Sequence, residues 1–169
     1  MLKGSQRLKD LIRYQMLSKV LGEKYMMEKF RFWTGMDVRW GDEDSYGHVN
    51  NAVYLSYFEQ GRAAFFGKIG LHLDKAREAG AGPVVAHLDC TYKQSLTYPA
   101  LIRVGIRTLE VGTRSFKLGQ VLCREGETQP AAFGDVVCVW FDYHNQVTAP
   151  VPSELREHLL AWRDSEGHL

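Results

Sequence analysis

The stretch Trp40–Arg62 reads WGDEDSYGHVNNAVYLSYFEQGR, and it sets a polar loop directly before a helical pattern. The loop contains three acids, a histidine and two consecutive asparagines, whereas apolar residues follow at helical spacing from about Asn51. The first backbone amides of a helix have no partners within the helix, and this end of a helix favours negative charge. The order of these residues therefore predicts a catalytic site where the loop joins the helix.

Helical spacing continues to about Ile69, which predicts one long central helix. Elsewhere most of the chain reads as strands, bounded by residues that favour turns. The predicted strands are Phe30–Trp40, Val84–Tyr92, Ala100–Val111, Ser115–Arg124 and Ala131–Tyr143. Short connections favour antiparallel neighbours, so we expect an α+β fold in which a five-stranded antiparallel sheet wraps around the central helix.

Two shorter helices are predicted in addition to the sheet and the central helix. Leu71–Ala79 predicts a second helix, and Gly80–Pro83 predicts a turn after it. Pro152 and Ser153 open a predicted C-terminal helix that ends near Trp162.

The composition is that of one globular domain. The chain has 169 residues, of which 45% are hydrophobic and 24% charged. A formal net charge of +1 gives no indication of nucleic acid binding. Cys90, Cys123 and Cys138 lie far apart in apolar runs without the spacing of a zinc site, so we expect small buried side chains in a reducing compartment. No apolar run reaches about 18 residues, so no transmembrane helix is expected.

Residues 1–29 form a basic extension before the predicted domain. The first 30 residues contain seven Lys or Arg and three Asp or Glu. Apolar residues at helical spacing predict an amphipathic helix from about Ser5 to Met27; they are Leu8, Leu11, Ile12, Met16 and Val20. Three roles fit such a helix: docking on the domain or a partner, contact with a membrane surface, or a transit peptide. Docking is favoured, with a cytoplasmic location, whereas a transit peptide would indicate mitochondria.

Several motifs follow the opening stretch in a definite order. They are VVAHLDCTYKQSLTYP (Val84–Pro99), GTRS (Gly112–Ser115), VWFDY (Val139–Tyr143) and PVPSELR (Pro150–Arg156). With these motifs and this order of elements, the chain from about residue 30 to 160 resembles the hotdog-fold acyl-CoA thioesterases of the 4-hydroxybenzoyl-CoA thioesterase-like family.

The resemblance implies a hotdog thioesterase domain over residues 30–169 that includes the C-terminal helix. It implies hydrolysis of a fatty or aromatic acyl thioester to the acid and free coenzyme A, which is part of the substrate. No metal or organic cofactor is expected. It also implies a homodimer or a tetramer built from dimers, with each active site formed by two chains.

Asp44 is the position that the resemblance identifies as the catalytic carboxylate. A thioester is already activated, so its hydrolysis needs a base or nucleophile beside the carbonyl carbon and donors for the developing oxyanion. Backbone amides near Asn50 and Asn51 are the expected donors, and both asparagines also fit helix caps. The pattern leaves general base and nucleophile open for Asp44. Asp42 and Glu43 are expected to be turn and surface acids.

His48 matches a position that the related plant acyl-carrier-protein thioesterases use in or near catalysis. Those enzymes have an asparagine two residues after the aspartate, where this chain has Tyr46. A structural or substrate-orienting role is therefore favoured for His48 over an essential catalytic one. Tyr46 is assigned as a candidate substrate contact.

Four further residues are candidate substrate contacts. Glu59 and Arg62 match the family helix pattern, although they could form an exposed ion pair instead. Arg114 and Ser115 follow Gly112, where related hotdog enzymes often meet coenzyme A. A guanidinium suits a phosphate, and the alternative is a turn arginine in water.

Other interpretations stay open at this stage. A hotdog hydratase or dehydratase is one alternative, and a non-catalytic module that binds acyl thioesters is another. His87 and Asp89 share one face of a predicted strand, where a hydrogen bond on the sheet is favoured over a metal site. The acyl group, and the choice between coenzyme A and acyl carrier protein, are not indicated by the sequence.

Overall fold

The computed structural model describes residues 27–127 and 129–163. The strands are β1 (Phe32–Val38), β2 (Ala81–Leu88), β3 (Thr91–Tyr92), β4 (Ala100–Val111), β5 (Ser115–Arg124), β6 (Pro130–Asp142) and β7 (Val147–Thr148). A 3-10 turn covers Trp40–Asp42, and the α-helices are α1 (Asn51–Lys68), α2 (Leu73–Glu78) and α3 (Ser153–Ala161). The predicted N-terminal helix lies almost entirely outside the described residues.

The strands form one antiparallel sheet in the order β1-β4-β5-β6-β2, and the short strands β3 and β7 both pair with β6. The predicted α+β fold, with five main strands around a long central helix, is confirmed. Within the part of the chain that the structure describes, no helix is long and apolar enough to cross a membrane.

The start of β2 differs from the sequence-based prediction. Residues 81–83 already pair with β6, with Ala81 opposite Asp142 and Pro83 opposite Trp140, so the predicted turn at Gly80–Pro83 is wrong. Proline fits here because β2 is the last strand of the sheet order, where a missing N–H need not break the ladder. The predicted single strand Val84–Tyr92 is also interrupted, since β2 ends at residue 88 and β3 begins at residue 91.

Helix α1 packs against the inner face of the sheet and fills most of the core. Phe58 and Phe65 are fully buried there, as the predicted apolar stripe requires. Gly61 lies against β4, where an added Cβ would overlap the side chain of Val104. The close approach of α1 to the sheet therefore depends on a residue without a side chain at position 61.

A second, smaller core lies on the opposite face of the sheet. Met27 and Phe30, just before β1, pack there against Val121 and Cys123 of β5. Side chains of a strand alternate between the two faces, so β5 contributes Phe116, Leu118 and Leu122 to the inner core and these two residues to the outer one.

Two glycine substitutions in α1 should have opposite effects. Gly61→Ala should lower the free energy of unfolding by about 1–3 kcal/mol, because its methyl group overlaps Val104. Gly67→Ala is the matched control, since a Cβ there meets nothing within 4 Å and alanine favours the helix by up to about 1 kcal/mol. Urea denaturation measures both, and equal values for the two variants would contradict the close packing of Gly61 against Val104.

Candidate active site

A short closed loop holds the residues before α1. The Asp44 N–H donates to the His48 carbonyl (2.9 Å), and the Asn50 N–H donates to the Asp42 carbonyl (2.9 Å). Gly47 has a φ of +75°, a conformation that suits glycine and reverses the chain direction. Asp44 therefore lies at the start of a hydrogen-bonded loop that leads directly into the N-terminus of α1.

The Asp44 carboxylate is half-buried and makes a local turn contact. Its Oδ1 accepts a hydrogen bond from the Tyr46 N–H (2.9 Å). Neighbouring side chains of the same segment are exposed to solvent. His48 is exposed, and Tyr46 and Trp40 are 85% and 77% exposed. Large exposed aromatic side chains beside a carboxylate are typical of a surface that a ligand or a partner covers.

The predicted amide donors differ in what they contact. Asn50 is the N-cap of α1, and its Oδ1 accepts from the Ala52 N–H (2.9 Å), so the predicted cap is confirmed. The Asn50 N–H donates to the Asp42 carbonyl. The Asn51 N–H has no acceptor among the described residues, while the Asn51 carbonyl accepts from the Tyr92 hydroxyl (2.9 Å). The amide available to a ligand is therefore that of Asn51.

Asp42 is a buried residue, and the expectation that it is a surface acid is wrong. The residue is 5% exposed. Its Oδ2 accepts from the Tyr57 hydroxyl (2.7 Å), from the Arg39 N–H (2.8 Å) and from the Arg39 Nε (3.3 Å). Burial alone raises the pKa of Asp42, but these hydrogen bonds and the Arg39 charge outweigh it, so the pKa lies below its ordinary value. Burial and the bond to Asp42 raise the pKa of Tyr57.

Local spacing could not reveal this pair, because the two residues are 15 positions apart. The available signal was chemical: Tyr57 lies on the apolar stripe of α1, and a buried tyrosine hydroxyl needs a partner. Glu43 also makes a hydrogen bond to a residue distant in sequence, since its Oε1 accepts from the Tyr98 N–H (2.8 Å).

Arg62 is 6% exposed and lies between α1 and the sheet, so the exposed ion pair with Glu59 is wrong. Its Nη1 donates to Oε1 of Gln120 on β5 (2.7 Å), and burial lowers the pKa of the guanidinium. Cys138 is buried nearby on β6, where burial raises its pKa to about 11. Glu59 is exposed. Substrate contacts of Glu59 and Arg62 stay predictions.

The turn between β4 and β5 is fixed by the segment that leads into α3. The Val151 N–H donates to the Thr113 carbonyl (2.9 Å), and the Arg156 guanidinium donates to the carbonyl of Gly112. Arg114 is exposed, and its Nη1 donates to the Thr148 carbonyl (3.2 Å). The motifs at residues 112–115 and 150–156 are thus parts of one local structure.

The structure separates the predicted site residues along the length of β4. The loop with Asp44 lies at its start, where Val38 pairs with Ala100. Arg114 and Ser115 follow its end at Val111. A strand of 12 residues spans roughly 36 Å at about 3.3 Å per residue. One chain therefore does not bring these two groups together.

His87 and Asp89 lie on the outer face of the sheet. The Asp135 N–H donates to Asp89 Oδ1 (3.2 Å), and His87 Nε2 is 3.8 Å from Asp89 Oδ2. Among residues 27–127 and 129–163, no group of three or more His, Cys, Asp or Glu side chains could hold a metal ion.

Comparison with known proteins identifies the class. A sequence model of the family described as the thioesterase-like superfamily matches residues 38–159. The chain belongs to this superfamily, and it is a thioester hydrolase with the hotdog fold.

Three relatives illustrate the range of the family. The uncharacterized protein YsmA of Bacillus subtilis (strain 168) is 30% identical over 135 residues, which are 79% of this chain and 88% of that protein. The chloroplastic acyl-acyl carrier protein thioesterase ATL2 of Arabidopsis thaliana is 25% identical over 123 residues, which are 73% of this chain and 65% of that protein. A solved thioesterase of Thermus thermophilus, complexed with coenzyme A and Zn, is 35% identical with a TM-score of 0.68, over 80% of this chain and 96% of that chain.

Replacing Asp42 should change how stability depends on pH. Because the pKa of Asp42 is lowered in the folded state, its stabilisation is present above the unfolded pKa of 3.8 and is lost as pH falls through the folded pKa. Asp42→Asn should therefore lose about 1–3 kcal/mol at pH 7 and show a flatter decline in acid.

Urea denaturation between pH 7 and pH 2 tests this prediction. Tyr57→Phe, which removes one donor to Asp42, should be destabilised at pH 7 by about 1 kcal/mol. Asp74→Asn is an exposed control in the first turn of α2, where loss of the charge should cost at most about 0.3–0.5 kcal/mol at pH 7. An acid decline in Asp42→Asn as steep as in the wild type would contradict the assignment.

Proposed function

We propose that this protein hydrolyses acyl-coenzyme A thioesters, with Asp44 as the catalytic carboxylate and the Asn51 amide as a donor to the thioester carbonyl. The observation that carries the proposal is a half-buried carboxylate in a closed loop directly before a helix whose Asn51 amide has no acceptor among the described residues. The relative from Thermus thermophilus, which is complexed with coenzyme A, supports coenzyme A as the thiol portion of the substrate.

Hydrolysis can follow either of two balanced routes. In the first, Asp44 takes a proton from water, the resulting hydroxide adds to the carbonyl carbon, and the coenzyme A thiolate leaves and accepts the proton. In the second, an Asp44 oxygen attacks the carbonyl carbon and expels the thiolate, and water then hydrolyses the mixed anhydride. In both routes negative charge develops on the carbonyl oxygen, where the Asn51 N–H and the positive end of α1 stabilise it.

Asp44→Asn should reduce thiol release from acyl-coenzyme A by roughly 100-fold or more, because the amide is a poor base and a poor nucleophile. A thiol assay over acyl chains of increasing length measures this loss. Asp74→Asn again serves as the matched control and should keep wild-type turnover.

Equal turnover in Asp44→Asn and the wild type would exclude the mechanism. Substrate binding without turnover by the wild type would indicate a binding module instead. A single turnover in ¹⁸O-labelled water detects the second route when water attacks the Asp44 carboxyl carbon of the anhydride, since the first acid released then carries an unlabelled oxygen from Asp44.

The complete site is proposed to combine two copies of the chain. Asp44 and the pair Arg114 and Ser115 lie at opposite ends of a strand that spans roughly 36 Å, so a second copy is needed to bring them to one substrate. Among the described residues β2 pairs with β6 alone, and Val84 and Val85 on it are 37% and 46% exposed. An open, apolar edge strand is a ready surface for pairing with its own copy.

Mixed dimers provide a direct test of this arrangement. Arg114→Ala should weaken turnover through loss of a phosphate contact, and Asp44→Asn should abolish it. When the two variants are co-expressed, half of the dimers are mixed and each has one intact site, so about a quarter of wild-type activity should return. A co-expressed mixture no more active than the average of the two separate variants, at the same total protein concentration, would place both residues in the site of a single chain.

A further inference from the structure

A groove of about 560 Å³ lies on the outer face of the sheet, away from α1 and from the Asp44 loop. Its apolar wall is formed by Phe30, Leu109, Phe133 and Val137. Charged side chains of both signs stand among them, including the ion pair of Lys117 with Asp135 (2.7 Å). An apolar groove with charges of both signs suits an amphipathic protein segment better than a uniformly charged ligand.

The described chain begins at the edge of this groove. The Met27 side chain is 9% exposed, and the Cys123 thiol lies 3.8 Å from its sulfur atom. Phe30 is 8% exposed, belongs to the same outer core and also forms part of the groove wall. The Arg107 guanidinium covers the ring of Phe30 at 5.2 Å. The residues before Met27 therefore join the domain beside the groove.

The length and composition of the preceding segment suit this groove. Twenty-six residues precede Met27, and they include the predicted stripe from Leu8 to Val20. A helix of about 20 residues would be roughly 30 Å long. This length is enough to cross all five main strands, which together span about 20–24 Å. Attachment at Met27 gives the segment an effective concentration on the order of millimolar at the groove, which a separate partner would have to exceed.

We propose that residues 1–26 dock in this groove with their apolar residues against the sheet and extend the outer core around Met27 and Phe30. The family match begins at residue 38, so the segment is additional to the part of the chain that matches the superfamily. The docked segment covers the face of the sheet opposite the proposed active site. This proposal does not depend on the catalytic assignment.

Limited digestion of the full-length protein with trypsin tests the docking. The segment contains cleavage sites at Arg7, Lys9, Arg13, Lys19 and Lys24. Val137→Asp in the groove and Leu11→Asp in the segment should each accelerate cleavage there by about tenfold, because proteolysis follows the undocked population. The double variant should be cut no faster than either single variant, because both changes disrupt one contact.

Val147→Asp is the matched control, since Val147 is 53% exposed and lies outside the groove, and its cleavage rate should equal that of the wild type. If circular dichroism shows that Val137→Asp does not fold, Leu109→Asp replaces it as the groove variant. Wild-type protein cut as fast as Leu11→Asp would overturn the proposal. Protection that requires anionic phospholipid vesicles, or that rises with protein concentration, would also overturn it, in favour of a membrane surface or a second copy.

Discussion

The buried carboxylate of Asp42 joins the loop that contains Asp44 to the core. Its side chain holds Tyr57 of α1 and Arg39 at the end of β1, and its carbonyl receives the N–H of the helix cap Asn50. A carboxylate removed from water is costly unless donors surround it, so these contacts are strongly coupled to one another. The core therefore positions the loop. Among the described residues, the Asp44 side chain makes a local turn contact with the Tyr46 N–H.

The fold separates the remaining predicted site residues instead of bringing them to one place. Helix α1 runs along the inner face of the sheet, so its N-terminus and the turn after β4 end up far apart. Each end is fixed by its own contacts, with Asp42 at one and Arg156 at the other. This separation is compatible with the proposed dimer, because a two-fold axis presents each end to the other in both copies.

Much of this fold can be predicted from the sequence, because α1, β4 and β5 have clear apolar patterns. Turn residues separate such elements, as Gly112 does between β4 and β5. The beginning of β2 was missed because the sequence does not show which strand lies at a sheet edge, where Pro83 is tolerated. The burial of Asp42 and Arg62 was missed for a related reason. Their partners, Tyr57 and Gln120, are 15 and 58 positions away, and only tertiary packing brings such pairs together.

The buried thiols have a consequence for redox chemistry. A thioester hydrolase releases a thiol, and once that thiol has been oxidised to a disulfide, the thiolate of a protein cysteine can attack it, form a mixed disulfide and release one thiol. Burial raises the pKa of Cys138 to about 11 and also raises that of Cys90, so both are almost fully protonated near neutral pH. Cys123 is fully buried on the outer face of the sheet. The cysteines of the enzyme therefore do not readily form mixed disulfides with the oxidised form of its own product.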